Sequence, residues 1–322
     1  MKKKILLTGS RGVLGSSFKK KNFLKKFKKK YSFIFSDSTK CDLRDYYKTF
    51  KYIKKLKPDY IINLAAVSGG IGLSAKYQAT LLRDNLLINL NILEVSRKLN
   101  IKKLIMTLTT GAYPKNLKLP YKEKNLHDGL PLENNYGSSF AKRIIDPAIK
   151  SYRDEFNLDV IGLAPSGIYG ENDNFNLDDA PMLPATIHKA FLAKKYKNKL
   201  VIWGNGESYR ELTYADDYRD IFIWALENYS NSQILNVSSK EEYKIKTIVK
   251  KIAKIFKLNS KNLYFDKKKP NGIYKKTCDT SLLMKQKKFN FTKLDVGLKK
   301  TIKWFVKNYQ NNKIKSNRKI KN

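Results

Sequence analysis

The stretch Lys4-Ile5-Leu6-Leu7-Thr8-Gly9-Ser10-Arg11-Gly12-Val13-Leu14-Gly15-Ser16 runs from an apolar strand through a glycine turn into residues at helical spacing. Ile5 to Leu7 predict a buried parallel strand, and Val13, Leu14 and Phe18 predict the buried face of a helix. The three glycines between them have separate jobs. Gly9 permits the sharp turn after the strand, Gly12 removes the Cβ that would stand between backbone and phosphate, and Gly15 lets the helix lie close on the sheet. A helix opening near Gly12 directs free N–H groups and the positive end of its dipole at an anion. A glycine triplet alone is also what a flexible loop looks like. Its place at a strand-to-helix junction is what predicts a pyrophosphate cradle, with Gly9, Ser10, Arg11, Gly12, Val13, Leu14 and Gly15 as cofactor contacts.

Beyond this unit, Tyr31 to Phe35 reads as a second strand ending at Ser36-Asp37-Ser38. An acidic side chain such as Asp37 at that point hydrogen-bonds an adenosine ribose and favours NAD. Arg11 pulls the other way, because a guanidinium beside the turn pairs with a 2′-phosphate and favours NADP, so the choice between NAD and NADP stays open. In Cys41-Asp42-Leu43-Arg44-Asp45, Asp42 is placed to contact adenine beside Leu43, and a helix N-cap at Asp42 or Asp45 is the competing role. Tyr60 to Leu64 is a buried strand ending in Ala65-Ala66, small residues across which a cofactor can lie. A helix carrying Asn85 and Asn89 runs toward Arg97, and the strand Lys103 to Leu108 ends in Thr109-Thr110-Gly111-Ala112-Tyr113-Pro114. Strands alternating with helices predict an α/β fold: a Rossmann-type, doubly wound parallel sheet with ligands at the carboxyl ends of its strands.

Composition narrows the function class. The chain has 322 residues, 42% of them hydrophobic, with no apolar run long enough for a membrane span. Lys2, Lys3 and Lys4 imitate a signal peptide, but Ile5 to Leu7 is too short for its hydrophobic region. Cys41 and Cys278 are the two cysteines, which suits a reducing cytoplasm and offers neither a disulfide framework nor a metal cluster. Lys and Arg total 66 against 28 acidic residues, a formal charge of +38. That excess is mostly Lys, spread over the whole chain among Asn, Ile, Tyr and Phe, the residues an AT-rich genome favours. Nucleic-acid readers lean on Arg for bidentate contacts, so a solvated surface that attracts anionic small ligands is expected, with no nucleic-acid partner and no membrane insertion.

From Thr109 onward the pattern resembles the extended short-chain dehydrogenase/reductases of the NAD-dependent epimerase/dehydratase family that modify nucleotide sugars, and within them the GDP-L-fucose synthase group. The resemblance covers nearly the whole chain. It rests on Gly9-Ser10-Arg11-Gly12, Gly69-Gly70-Ile71, Tyr113-Pro114, Tyr169-Gly170 with Asp173-Asn174-Phe175, and Val201-Ile202-Trp203-Gly204-Asn205-Gly206. Arg210-Glu211, Asp216-Asp217, Asn236-Val237, Lys269-Pro270-Asn271-Gly272 and Asp279 continue it. The resemblance adds Leu64, Asn85, Lys142 and Pro165 to the cofactor contacts. It implies a smaller, discontinuous cap that binds the sugar nucleotide through Asn174, Lys189, Trp203, Arg210 and either Lys275 or Lys276. Each lysine also reads as a solvated surface residue in so basic a chain.

Family members of this kind use a Ser or Thr, a Tyr, and a Lys one helical turn after the Tyr. Thr109 matches the hydroxyl and Lys142 the Lys. In Asn134-Asn135-Tyr136-Gly137-Ser138-Ser139-Phe140-Ala141-Lys142 the ungapped match puts Ser138 where the Tyr belongs, while Tyr136 lies two residues earlier. Two readings stand: Tyr136 reaches the site from a pre-helical loop, or the proton relay is altered. The resemblance also implies a Cys and a His as epimerisation base and acid, and here those positions are Gly111 and Pro181. Neither ionises, and His127 and His188 fall elsewhere, although a local shift of His188 stays open.

The expected domains are a dinucleotide domain at 1–165 to which 212–237 returns, a cap at 166–211 and 238–311, and a basic tail at 312–322. Helices near Asn85–Lys98 and Lys142–Glu155 are implied as a homodimer surface, with Pro147 a possible kink. Two functions follow: an NAD(P)-dependent oxidoreductase acting on the C4 keto/hydroxyl pair of a GDP-linked hexose or heptose, or a non-catalytic NAD(P)- or nucleotide-sugar-binding partner protein.

Overall fold

The computed structural model describes residues 2–269 and 273–311. The Pro270-Asn271-Gly272 part of the matched pattern and the 312–322 tail lie outside the described residues. Strands follow in the order β1 (Lys3–Thr8), β2 (Tyr31–Phe35), β3 (Tyr60–Asn63), β4 (Lys103–Thr107), β5 (Val160–Pro165), β6 (Gly167–Tyr169), β7 (Leu200–Trp203), β8 (Tyr209–Tyr214), β9 (Leu235–Val237), β10 (Glu242–Lys244) and β11 (Leu263–Asp266). The helices are α1 (Val13–Ser17), α2 (Lys21–Phe27), α3 (Tyr46–Leu56), α4 (Ile71–Lys76), α5 (Gln78–Lys98), α6 (Tyr136–Arg143), α7 (Ile145–Phe156), α8 (Met182–Lys195), α9 (Ala215–Asn228), α10 (Ile245–Ile255), α11 (Ser281–Gln286) and α12 (Leu294–Gln310).

Six strands form one parallel sheet in the order β2-β1-β3-β4-β5-β9. Its strands are apolar on both faces because both faces are covered. Ile5, Leu7, Ile62, Ile105 and Leu163 pack under Leu14, Phe18 and the α9 residues Ile221 and Phe222. Leu6, Ile61, Leu104, Met106 and Val160 pack on the opposite side under Ile53, Ile88, Ile92, Ile145 and Ile149. The chain leaves β1 toward β2 and comes back on the other side of β1 as β3, so the direction of winding reverses there. A reversal of this kind opens a crevice outside the carboxyl ends of the two strands.

The cap is a second core, in which Tyr169, Phe175, Ile187, Ile202, Tyr214, Ile248, Leu298 and Phe305 interlock α8, α10 and α12 with β6, β7 and β8. β9 and α9 lie with the main sheet, and so does part of the segment after β11. Leu283 of α11 is fully buried, and with Phe289 and Phe291 it packs in the cluster of Trp224 and Val237. Ser281–Phe291 therefore returns to the dinucleotide domain before α12 re-enters the cap. Pro147 does more than kink a helix: it has no N–H to give the Arg143 carbonyl, and α6 ends at Arg143 with α7 starting two residues later.

Candidate active site

At the β1/β3 crevice the first turn is built by close approach. Gly9 has φ +63°, and a Cβ there would lie 2.6 Å from the Leu64 carbonyl carbon and oxygen and 2.8 Å from Ala65 N. A Cβ on Gly15 would sit 2.5 Å from Gly9 O, so α1 rests directly on the turn. Gly12 differs: a Cβ there meets Gly9 O alone, at 3.4 Å, leaving its front to a ligand. Ser10 N donates to Ser36 O at 2.9 Å, tying the turn to the end of β2. The Ser10 side chain is fully buried, and its Oγ has no hydrogen-bond partner among the described residues. A bare backbone cradle with an orphaned hydroxyl beside it fits the diphosphate of a dinucleotide. The helix dipole adds less than expected, because α1 stops at Ser17.

Polar residues stitch the strand ends together. Thr8 Oγ1 donates to Asn63 Oδ1 at 2.6 Å, and Thr107 Oγ1 donates to Asn63 O at 2.7 Å. Leu64, Ala65 and Ala66 follow as a half-buried rim. Asn85 is buried, and its amide bonds Val67 N, Val67 O and Leu81 O, so its contribution is to hold this rim. Asp45, not Asp42, caps α3, accepting from Lys48 N at 2.9 Å. Asp42 faces Arg44 with both oxygens, and Arg44 also reaches buried Asp84 at 2.8 Å. Leu14, Leu43 and Pro165 are buried, so they shape the groove from beneath.

At the end of β2, Arg11 Nε lies 3.6 Å from Asp37 Oδ1. Against the cost of burial, hydrogen bonds from Thr39 and the charges of Arg11 and Lys19 hold the Asp37 carboxyl below its usual range. Lys19 lies over the Phe35 ring, and Lys40 Nζ donates to Phe35 O at 2.7 Å. Two cations, Arg11 and Lys19, thus act on one carboxylate, and the Lys40 charge is felt at Lys19.

The next station along the sheet edge is the end of β4. Thr109 Oγ1 accepts from Gly111 N at 3.2 Å, which leaves its own proton free to donate. Lys142 Nζ donates to Thr107 O at 2.7 Å, and burial pushes its ammonium down to about 8. α6 gives the two hydroxyl candidates different surroundings. Ser138 lies one turn before Lys142 and shares its face, its Oγ donating to Asn135 O at 3.1 Å. Tyr136 is already helical, is 41% exposed, and packs edge-on to Phe140 with ring centroids 4.7 Å apart. Lys142 thus reaches back to the end of β4, two residues before Thr109, while Tyr136 packs on Phe140.

In the cap, Arg210 Nη1 donates to Tyr209 O and Ile273 O at 2.6 and 2.9 Å, and burial lowers its pKa. Lys276 is pushed down to about 8 by burial and then by Arg210, with no carboxylate partner among the described residues. Lys275 instead pairs with Glu242 at 2.7 Å, so of the two lysines Lys276 is the one left for an anion. Trp203 is 59% exposed with Lys189 and Lys269 ammonium groups 5.5 and 5.6 Å from its ring. Asn174 bonds Asp179 and Asn176 within its own loop. Gly70 N donates to Asp179 O at 2.7 Å, so this loop meets the one after β3.

The sequence matches the model of the NAD dependent epimerase/dehydratase family over residues 5–238. The chain belongs to that family. It is 33% identical over 314 residues to GDP-L-fucose synthase of Dictyostelium discoideum, covering 96% of this chain and 97% of the relative. It is 32% identical to GDP-L-colitose synthase of Yersinia pseudotuberculosis, covering 96% and 99%. Among solved structures, the GDP-L-fucose synthetase of Naegleria fowleri bound to NADP superposes with a TM-score of 0.88 at 28% identity, covering 96% of this chain and 95% of that one.

Set on this family's epimerase/dehydratase scaffold, the unusual positions become specific. A Cβ on Gly111 would meet only Thr109 side-chain atoms, at 3.5 and 3.7 Å, so the backbone has room for a side chain that the sequence does not supply. Pro181 caps α8 and is exposed. His188 has not shifted into its place: Nδ1 donates to Phe175 O at 2.7 Å, and the ring packs on Phe305 and Tyr309 inside the cap. Sequence reading missed Arg143, which is buried and donates to Ala112 O and Gly129 O, and Ser139, which donates to Gly111 O; both fix the Thr109–Pro114 turn. A basic residue beside the Lys142 position was the only hint.

Proposed function

We propose that the protein is an NAD(P)-dependent nucleotide-sugar oxidoreductase acting on the C4 keto/hydroxyl pair of a GDP-linked hexose or heptose. The observation that carries this reading is the pair of stations along one sheet edge, the diphosphate cradle at β1/β3 and Lys142 with Thr109 at the end of β4, with Arg210 of β8 and Lys276 supplied by the cap. A bound nicotinamide supplies or accepts the hydride. Thr109 and Ser138 offer hydroxyls to the sugar oxygen, Lys142 places a cation behind them, and Arg210 with Lys276 offers two donors to a sugar-nucleotide diphosphate. The relatives named for GDP-sugar activities support GDP as the carrier.

With Gly111 and Pro181 where a base and an acid would stand, C3 and C5 keep their configuration. Incubation with NADPH and a panel of GDP-4-keto sugars in D2O is expected to oxidise the cofactor while leaving C3 and C5 free of deuterium by NMR. Deuterium at either carbon would refute the loss of epimerisation. A flat absorbance trace with retained cofactor binding would favour the second reading, a non-catalytic binding partner, for which the outward-turned Tyr136 is the supporting observation.

The cofactor form follows from charge. Arg11, Lys19 and Lys40 outnumber Asp37, which suits a 2′-phosphate, and NADP(H) is the preferred form; the Naegleria relative's bound NADP agrees. Charge-assisted hydrogen bonds contribute about 1.5–3 kcal/mol, so Arg11→Ala should lower the NADP-over-NAD affinity ratio roughly 10- to 100-fold by calorimetry. An unchanged ratio would remove Arg11 from selection.

A homodimer is the expected assembly. Leu82, Leu87 and Leu90 on α5 are 36–43% exposed, and Phe140, Ile144, Ala148, Tyr152 and Phe156 recur every four residues along α6 and α7, with Ile144 at 43% and Phe156 at 39% exposure. Two such stripes on adjacent helices suit the same face of a second copy. Leu90→Lys should convert the dimer to monomer in light scattering; a monomeric wild type would end this assignment. No helix of the described residues is long and apolar enough to cross a membrane, and a cytoplasmic location agrees with the buried free thiols of Cys41 and Cys278.

A further inference from the structure

The second half of α6 is held by three side-chain bonds. Asn89 Nδ2 donates to Ala141 O at 3.1 Å, Ser139 Oγ to Gly111 O at 3.0 Å, and Lys142 Nζ to Thr107 O at 2.7 Å. The start of the helix has no such local support. A helix leaves its first N–H groups without partners of its own, and Asn135, at the N-cap position, makes no side-chain cap bond. The 3-10 turn Glu133–Asn135 that leads into it lacks one as well.

Gln78, the first residue of α5, supplies the missing cap from another element. Its Oε1 accepts from Gly137 N at 2.9 Å and its Nε2 donates to Glu133 O at 2.5 Å, so one amide spans from the lead-in turn to the first turn of α6. The two backbones also touch. A Cβ on Gly137 would lie 2.9 Å from the Gln78 carbonyl carbon and nearer still to its oxygen, which leaves room for glycine alone. Asn85 and Asn89 follow Gln78 by seven and then four residues, a spacing that sets all three amides on one face of α5. Asn85 grips the N–H and carbonyl of Val67, directly after the Leu64-Ala65-Ala66 rim, and Asn89 grips Ala141 O. One helix thus registers α6 against the edge of the dinucleotide crevice.

We propose that Gln78 is a positioning residue for carbonyl reduction: it fixes the start of α6, and with it Ser138 and Lys142, relative to the bound dinucleotide. The proposal rests on the oxidoreductase reading. Gln78 acts through the Gly137 peptide, whose next residue is Ser138. Without the Gln78 amide the first turn is free to fray, while Asn89, Ser139 and Lys142 still hold the remainder. A displacement of about 1 Å at a reacting group costs on the order of 100-fold in rate. One lost cap shifts the melting temperature of a chain this size by only about 2–4 °C. Rate and stability therefore separate.

Gln78→Met nearly keeps the volume and loses both hydrogen bonds. In a single turnover of bound NADPH with a GDP-4-keto sugar that the wild type reduces, its hydride-transfer rate should fall about 10- to 100-fold. NADPH and GDP affinities should stay at their wild-type values by calorimetry. Gln78→Glu, which keeps an acceptor for the Gly137 N–H, should recover part of the rate. Amide hydrogen exchange at Gly137 and Ser138 should quicken in Gln78→Met, with Ala141 unchanged. A wild-type hydride-transfer rate in Gln78→Met, a loss matched by equal losses of NADPH and GDP affinity, or a Gln78→Glu variant no faster than Gln78→Met overturns this proposal alone. A wild type that binds NADPH and reduces no 4-keto sugar overturns the oxidoreductase reading as well.

Discussion

Gly9→Ala is expected to abolish dinucleotide binding and to lower thermal stability together, whereas Gly12→Ala abolishes binding with the melting temperature unchanged. At Gly9 the backbone is left-handed, which costs an L-residue roughly 1–2 kcal/mol. The new methyl would also press on the Leu64 carbonyl and Ala65 N, backbone atoms that can yield only by parting β1 from β3. Overpacking of this kind typically costs about 1–3 kcal/mol. The sum, roughly 2–5 kcal/mol, falls on the crevice that seats the diphosphate. At Gly12 a methyl meets Gly9 O at a tolerable 3.4 Å and otherwise enters the space a phosphate would fill. Calorimetric titration with NADP and a thermal melt on each variant check both halves. NADP affinity within a few-fold of wild type in Gly9→Ala would mean that the cofactor does not lie in this crevice.

Arg210→Gln should weaken GDP binding about 10- to 100-fold and leave NADP binding intact, with Lys276→Met acting in the same direction. Arg210 and Lys276 are half-buried near one another with no carboxylate partner among the described residues, and Lys276 is pushed down to about 8 by burial and by Arg210. Two like charges held out of water destabilise the empty cap, and an arriving diphosphate relieves that cost while adding charge-assisted hydrogen bonds of about 1.5–3 kcal/mol each. Gln keeps enough reach to bond the Ile273 carbonyl that now holds this segment, so the cap should stay folded. Equal loss of NADP and GDP affinity would point to a general collapse of the cap and against a diphosphate site.

Much of the scaffold is legible in local sequence. Ile5-Leu6-Leu7 is apolar without alternation because its residues feed two clusters, one on each face of the sheet. Gly9 and Gly15 are glycines because Leu64 and Ser10 backbone occupy the space a Cβ would take. The candidate site was harder. Tyr136 and Ser138 are two residues apart, and only the start of α6 at Tyr136 sets one against Phe140 and the other one helical turn before Lys142. Asp42 reads as an adenine contact, and only the fold shows that Arg44 spans from it to Asp84, 40 residues from Arg44 in sequence. Lys275 and Lys276 are adjacent, and Glu242 of β10 claims the first.

The dinucleotide cradle, the alternation of strand and helix, and the absence of ionisable groups at positions 111 and 181 could be read directly from residue order, because turn geometry, burial pattern and side-chain chemistry are properties of neighbouring residues. That Tyr136 packs on Phe140, which lysine is left without a carboxylate among the described residues of the cap, that His188 belongs to a core, and that Ser281–Phe291 rejoins the first domain came from the folded chain. Each depends on a contact between segments or on the rotation of a helix about its axis, and a charge or an aromatic ring takes its role from whichever group the fold sets opposite it.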